Sequence, residues 1–100
     1  MHRNSDMQEK LAIAILNWNG KNWLEKFLPS ILLHSSEHSV YVIDNASTDG
    51  SVEFLGNKFP SVKIIINDKN YGFAEGYNIG LRSIKAEIYC LLNSDVEVTG

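Results

Sequence analysis

Cysteine is almost missing from this chain. A single Cys90 among 100 residues excludes an intramolecular disulfide and any multi-cysteine metal site. Basic charge is scarce as well: nine Lys plus Arg stand against twelve Asp plus Glu, a formal charge of −3. That balance lacks the basic surface with which proteins hold nucleic acid or an anionic membrane, so no nucleic-acid partner is expected. A ligand rich in phosphate would need a counter-charge from elsewhere. Long hydrophobic runs are absent too. The longest, such as Leu11-Ala12-Ile13-Ala14-Ile15-Leu16, falls far short of the roughly 20 residues of a membrane helix, so no transmembrane segment is expected. The N-terminus also lacks the apolar region of a signal peptide, and a cytoplasmic chain is the expectation. What is present is ordinary for a soluble fold: 44% hydrophobic residues and ten aromatics argue against disorder. The length suits one small domain, a single sheet with its covering helices, and leaves no room for a separate acceptor or regulatory domain.

Residues 1–10 are rich in charge and poor in apolar periodicity, and read as a flexible leader. The apolar run from Leu11 then stops at Asn17-Trp18-Asn19-Gly20, as expected for a strand buried on both faces of a parallel sheet. Trp23, Leu24, Phe27, Leu28, Ile31 and Leu32 follow at spacings of three and four, which predicts a helix over 21–34 with Trp23 in the core. Pro29 is expected to kink or break it, because the ring crowds the carbonyl of Glu25. Val40-Tyr41-Val42-Ile43 is a second strand ending at Asp44-Asn45. Turn and cap chemistry in Ala46-Ser47-Thr48-Asp49-Gly50-Ser51 leads into a short helix marked by Val52, Leu55 and Phe59. Val62-Lys63-Ile64-Ile65-Ile66 is a third strand. Phe73, Tyr77, Leu81 and Ile84 mark a third helix, with Gly76 and Gly80 on another face for close approach to the sheet or to a diphosphate. Ile88-Tyr89-Cys90-Leu91-Leu92 is a fourth strand, with Cys90 a small buried hydrophobe. The alternation predicts an α/β fold, a Rossmann-like parallel sheet with right-handed crossovers.

Ligands of open parallel sheets bind beyond the carboxyl ends of the strands. Here those ends carry Asn17 and Asn19, Asp44 and Asn45, Asn70 and Gly72, and Asn93 and Asp95, which places a candidate site along one edge. The first loop has only Gly20, so neither a dinucleotide fingerprint nor a P-loop is present, and it lacks the acidic pair of a phosphate-accepting receiver. Asn93 and Asp95 lie two apart, so an extended backbone turns both to one side. An amide oxygen and a carboxylate there suit Mg²⁺ or Mn²⁺ that keeps waters and takes its other ligands from a substrate diphosphate. Asn93-Ser94-Asp95 is equally readable as a polar turn. Trp18 either stacks on a ligand or caps the sheet edge. His34 and His38 read as solvated, Arg82 and Lys85 as structural, and Glu75 and Glu97 as surface acids near the site.

Four blocks carry a resemblance. They are Ala14-Ile15-Leu16-Asn17-Trp18-Asn19-Gly20, Val42-Ile43-Asp44-Asn45-Ala46-Ser47-Thr48-Asp49-Gly50-Ser51, Asn70-Tyr71-Gly72-Phe73-Ala74-Glu75-Gly76-Tyr77-Asn78-Ile79-Gly80 and Leu91-Leu92-Asn93-Ser94-Asp95-Val96-Glu97-Val98. In order and spacing they resemble the N-terminal half of family 2 glycosyltransferases, an inverting family with a GT-A fold. The resemblance implies transfer of a sugar from a nucleotide diphosphate to a glycan or lipid-linked acceptor, as in polysaccharide biosynthesis, in the cytoplasm or at the inner face of the membrane. Asp44, with Asn45 beside it, would bond the base, and the backbone near Leu16 and Asn17, with Asn19, would line its pocket. The third block, with Asn70, Gly72 and Gly76, would run under the sugar diphosphate. Asn93, Ser94 and Asp95 stand in place of the family's Asp-x-Asp motif, Asp95 being the main metal ligand and Asn93 the second.

Asn93 departs from the acidic motif and resembles an Asn-x-Asp variant of a branch containing many rhamnosyltransferases; dTDP-, UDP- and GDP-linked donors all remain open. The family's catalytic base follows the metal motif, whereas this chain ends at Gly100. Residues 11–100 therefore read as a donor-binding subdomain cut before the acceptor and base half, with no catalytic residue of its own and unable to turn over alone. Two alternatives stand beside this reading. One is a non-catalytic nucleotide-sugar binding module. The other is a sugar-phosphate nucleotidyltransferase, whose Gly-rich basic loop the segment Asn17-Trp18-Asn19-Gly20 does not supply.

Overall fold

A computed structural model describes residues 9–35 and 37–94. Strands β1 (Glu9–Asn17), β2 (Ser39–Asp44), β3 (Lys63–Ile66) and β4 (Ala86–Asn93) alternate with helices α1 (Lys21–His34), α2 (Ser51–Lys58) and α3 (Phe73–Leu81). The sheet runs β3-β2-β1-β4 with every pairing parallel. Its register brings the strand ends level: Asn17 pairs with Asp44, Asp44 with Ile66, and Leu16 with Asn93. All the loops that follow the strands therefore leave one edge.

The continuous apolar run of β1 is explained by cover on both faces. Ile13 and Ile15 join Leu24, Leu28, Val40, Val42, Leu55 and Val62 in one cluster under α1 and α2. Ala12, Ala14 and Leu16 join Ile43, Tyr77 and Ile84 in a second cluster under α3. The α3 face is built for close approach. A Cβ on Gly80 would lie 2.5–2.8 Å from three carbons of Ile43, and one on Gly76 would meet the amide of Asn45 and Leu16 Cδ1. The two glycines thus fit the helix to the sheet, with Gly76 packed beneath Asn45.

Four expectations are corrected. The first strand includes Glu9 and Lys10, and Glu9 pairs with Ala86, so the last two residues of the stretch read as a leader belong to the sheet. Helix α1 continues through Pro29 to His34. The proline, Glu25 and Lys26 are all exposed, so water can satisfy the carbonyl the ring deprives of a donor. Helix α3 stops at Leu81, and Arg82, Ser83 and Ile84 donate to the carbonyls three residues back, a tightening that still buries Ile84. Arg82 is its C-cap and Lys85 lies beyond it, both exposed. Cys90 is exposed, not buried. It pairs with Ile13, but β4 is the edge strand and Cys90 lies outside both core clusters. Trp23 is half-buried against the α1 cluster, with the ring of Phe27 5.0 Å away. No described helix is long and apolar enough to cross a membrane.

Candidate functional site

Asn17, the last residue of β1, is 0% exposed, and its amide is fully committed. Nδ2 donates to Asp44 Oδ1 at 2.8 Å and to Ser47 Oγ at 3.2 Å. Oδ1 accepts from Gly20 N at 3.1 Å and from Ser94 Oγ at 2.6 Å. Two donors and two acceptor sites are all an amide side chain has. Asp44, 1% exposed, is turned into the same network: Oδ1 also accepts from Ser47 Oγ at 2.7 Å, and Oδ2 accepts from Ser47 N at 2.8 Å. Gly20 is required beside them, because a Cβ there would collide with Ser94 Oγ and Asn17 Oδ1.

The loops after β1 and β2 are laced together further out. Asn19, in the left-handed region at φ 54°, donates its backbone N–H to Ser47 Oγ at 2.9 Å and accepts at Oδ1 from Thr48 N at 2.7 Å. Asp49 spans the start of both helices. Its Oδ2 accepts from Lys21 N at 3.0 Å, and Oδ1 accepts from Ser51 N at 3.0 Å and from the Ser51 hydroxyl. Partial burial pushes the Asp49 carboxyl up. The Ser51 hydroxyl and the backbone N–H groups of Lys21 and Ser51 outweigh it and hold the carboxyl below its usual value.

Asn45, just past β2 and 1% exposed, organises the other side. It accepts at Oδ1 from Asn67 Nδ2 at 2.8 Å and donates to Gly72 O at 3.0 Å and Asn70 Oδ1 at 3.3 Å. Asn67 also reaches Gly76 O at 3.3 Å. Asn70 Oδ1 accepts from Gly72 N at 2.9 Å, closing a turn in which Gly72 sits at φ 81°. A side chain would strain that position. On the rim, the Asp68 carboxylate accepts the Tyr71 hydroxyl and pushes that phenol up.

Between these two networks opens a cleft of about 120 Å³. Leu16 and Asn45 line it from the strand ends, Asn70, Gly72 and Asn93 from the loops, and Trp18 and Phe73 supply aromatic rings. Trp18 is 44% and Phe73 59% exposed, so each ring keeps a face to offer a ligand, and Phe73 is braced edge-on by Tyr77 at 5.2 Å. The volume is well below the roughly 300–1,000 Å³ of whole-ligand pockets. It suits one flat heterocycle. Among the described residues Asn45 Oδ1 accepts one hydrogen bond, from Asn67, which leaves one acceptor site for the heterocycle.

Of the residues expected at the site, Leu16, Asn45, Asn70, Gly72 and Asn93 line this cleft. Asn17, Asn19, Asp44 and Ser94 do not; their side chains are turned into the loop networks. Gly76 is buried under Asn45. The group at the end of β2 that faces the cleft is thus Asn45, while Asp44 is sequestered behind it. Asp95 and Glu97 lie outside the described residues. Among the described residues no three His, Cys, Asp or Glu side chains converge on a cation position. Asn93 is among the amides that line the cleft, and an amide oxygen is a donor type that hard cations take. Phe73 and Asn67 were missed by sequence reasoning. The four-residue step to Tyr77 and Leu81 made Phe73 look like core, and nothing in the sequence distinguishes Asn67 from its polar neighbours.

Residues 12–100 match the family model described as Glycosyl transferase family 2. An uncharacterized glycosyltransferase of Haemophilus influenzae is 30% identical over 89 residues, covering 85% of this chain and 36% of that protein. The N-acetylglucosaminyl-diphospho-decaprenol L-rhamnosyltransferase of Mycobacterium tuberculosis is 29% identical over 73 residues, covering 72% and 24%. In both cases the chain spans little more than a third of the relative's length or less. Among solved structures, the mannosyltransferase PcManGT from Pyrobaculum calidifontis, in complex with GDP-Man and Mn²⁺, superposes with a TM-score of 0.75 at 21% identity, covering 90% of this chain and 28% of that one. S. aureus TarS 1–349 in complex with UDP gives 0.74 at 21% identity, covering 86% and 27%. At such identity these two likenesses establish a shared fold.

Proposed function

The chain belongs to glycosyl transferase family 2, and from that premise we propose that residues 11–100 form the donor-binding part of an inverting glycosyltransferase. The cleft takes the base of a nucleotide-diphosphate sugar. The observation that carries this reading is the pairing of two half-exposed aromatic rings, Trp18 and Phe73, with the buried Asn45 amide in a space of about 120 Å³ at the carboxyl edge of the sheet. Base stacking on such rings is worth roughly 1–3 kcal/mol per base. The remaining Oδ1 site of Asn45 accepts a base N–H, such as the imide of uracil or thymine or a guanine donor.

The diphosphate then lies toward Asn93. Among the described residues no Lys or Arg lines the cleft, so the reading includes a divalent cation, Mg²⁺ or Mn²⁺, with Asn93 and Asp95 as the residues that hold it. An amide oxygen suits such an ion. When bound, the cation offsets charge on the leaving diphosphate. PcManGT, solved with GDP-Man and Mn²⁺, supports this choice by analogy. Among the described residues no lining side chain is an acid or base, which favours a binding role for them, with the proton taken from the acceptor by a group outside them. The same observation keeps a non-catalytic nucleotide-sugar binding module as the second reading. The acceptor is a glycan or lipid-linked sugar, and the setting is the cytoplasm or the inner face of a membrane.

Calorimetric titration with UDP, dTDP and GDP, with and without Mn²⁺, tests the proposal. Binding of one of these that strengthens with Mn²⁺ and is weakened in Asp95→Ala and Asn45→Ala is expected. A folded sample that binds none of the three overturns it.

A further inference from the structure

Asn17 touches nothing in the cleft, yet every hydrogen-bonding position of its amide is spent on holding the cleft's surroundings in place. Its four partners come from three separate strand-end loops: Gly20 after β1, Asp44 and Ser47 at the end of β2, and Ser94 after β4. The orientation of the amide is unambiguous, since a backbone N–H must face its oxygen and a carboxylate its nitrogen. Backbone bonds lie beneath the same junction: Asn45 N donates to Asn17 O at 2.8 Å, and Ser94 N to Leu16 O at 2.9 Å.

Each of the three tied loops stands next to a cleft residue. Trp18 lies between Asn17 and Gly20, Asn45 follows Asp44, and Asn93 precedes Ser94. We infer that Asn17 is a positioning residue for the nucleotide cleft, the strut that sets Trp18, Asn45 and Asn93 around one space. The inference rests on the nucleotide reading above for its binding measurement. Gly20 fits it independently, because the absent Cβ leaves the room that Asn17 Oδ1 and Ser94 Oγ occupy.

The chemistry allows a reciprocal test. In Asn17→Asp, two carboxylates face each other in a buried site and Ser47 Oγ loses a donor. In Asp44→Asn, an amide must turn its NH₂ toward either Asn17 Nδ2 or Ser47 N, donor against donor. In the exchange N17D/D44N, the new carboxylate at 17 accepts from Gly20 N, Ser94 Oγ, Ser47 Oγ and the amide at 44, whose own oxygen accepts from Ser47 N. Every partner is satisfied again with unchanged charge.

Affinity for UDP, dTDP and GDP is measured at a temperature where circular dichroism shows each variant folded, and the Trp18 indole and Gly20 amide resonances are followed without nucleotide. Each single variant is expected to bind at least tenfold more weakly and to displace both resonances. The double exchange is expected to return affinity to within threefold and to restore the resonances. A residue that merely holds the fold would lower thermal stability and leave the affinity of folded protein unchanged, which overturns the inference, as does a double exchange no better than the poorer single variant. If the wild-type chain binds none of the nucleotides, the functional reading falls. The strut is then judged on the resonances alone, which the exchange still has to restore.

Discussion

Replacing Gly80 by Ala isolates what holds α3 against the sheet. In a helix interior the change should help, since Gly is about 0.8–1.0 kcal/mol less favourable than Ala there. At Gly80, however, the new Cβ lands 2.5, 2.6 and 2.8 Å from Cγ2, Cδ1 and Cγ1 of Ile43, a side chain that is itself 0% exposed. Every one of those separations is far inside carbon contact distance, and Ile43 is β-branched with little rotamer freedom to yield. Overpacking of this kind costs about 1–3 kcal/mol. Gly56 is the internal control: it lies in α2, is exposed, and an added Cβ would meet nothing within 4 Å. Gly56→Ala therefore gains the helix term alone, and Gly80→Ala gains it and loses the packing term. The two variants should differ by about 2 kcal/mol, roughly 8–16 °C in Tm for a domain of this size. Urea and thermal melts of both measure it. A Gly80→Ala protein as stable as Gly56→Ala would refute the close packing of α3 on β2.

Asp49→Ala should cost about 1 kcal/mol at neutral pH, the usual worth of a helix-capping side chain, since it removes an acceptor from the starts of both α1 and α2. Because the folded carboxyl sits below its ordinary value of 3.8, its contribution is complete above that value and fades as pH falls through the lower folded one. The stability gap between wild type and Asp49→Ala should therefore be constant from pH 7 to about 5 and narrow below about 4, as read by denaturant melts; solvent screening keeps its ionic share small. A gap unchanged at pH 3 would refute it. Trp18→Ala and Phe73→Ala should each weaken nucleotide binding about tenfold, within the range for base stacking. Both rings are about half exposed and lie outside the two core clusters, so thermal stability should move by about 1 kcal/mol or less. A stability loss without an affinity loss would return both rings to structural roles.

The fold was legible because its signals are local and repeated. β1 could be recognised from an unbroken apolar run, since Ile13 and Ile15 pack to one side and Ala12, Ala14 and Leu16 to the other. The order β3-β2-β1-β4 was not legible: right-handed crossovers leave open whether the fourth strand continues past β3 or returns beside β1, and α3 packing on the face opposite α1 and α2 decides it. What periodicity could not reveal was which element lies at an edge. Cys90 has the same sequence surroundings as a central-strand residue, and only the position of β4 leaves it exposed. The break allowed for at Pro29 does not occur, for a related reason: the cost of a helical proline depends on whether water reaches the stranded carbonyl, and Glu25 is exposed.

The edge that carries the site was also legible, but the division of labour along it was not. Asn17, Asp44, Asn45 and Ser94 are all polar residues at strand ends, and all are at most 2% exposed. A buried polar group is stable only when its bonding capacity is met, so burial forces each to spend that capacity on neighbours before any ligand arrives. Among the described residues Asn17 is exhausted by this demand, Asp44 spends both sites of Oδ1 and one of Oδ2 on Asn17 and Ser47, and Asn45 Oδ1 retains one acceptor site at the cleft. The difference is set by what each meets in three dimensions, a hydroxyl from Ser47 or Ser94 in one case and three amide or carbonyl groups of the 67–72 loop in the other. Ligand-facing chemistry in this edge is therefore the residue left after internal satisfaction. An acidic side chain at a strand end is the stronger ligand in principle and, here, Asp44 is turned into the fold, toward Asn17 and Ser47, and does not line the cleft.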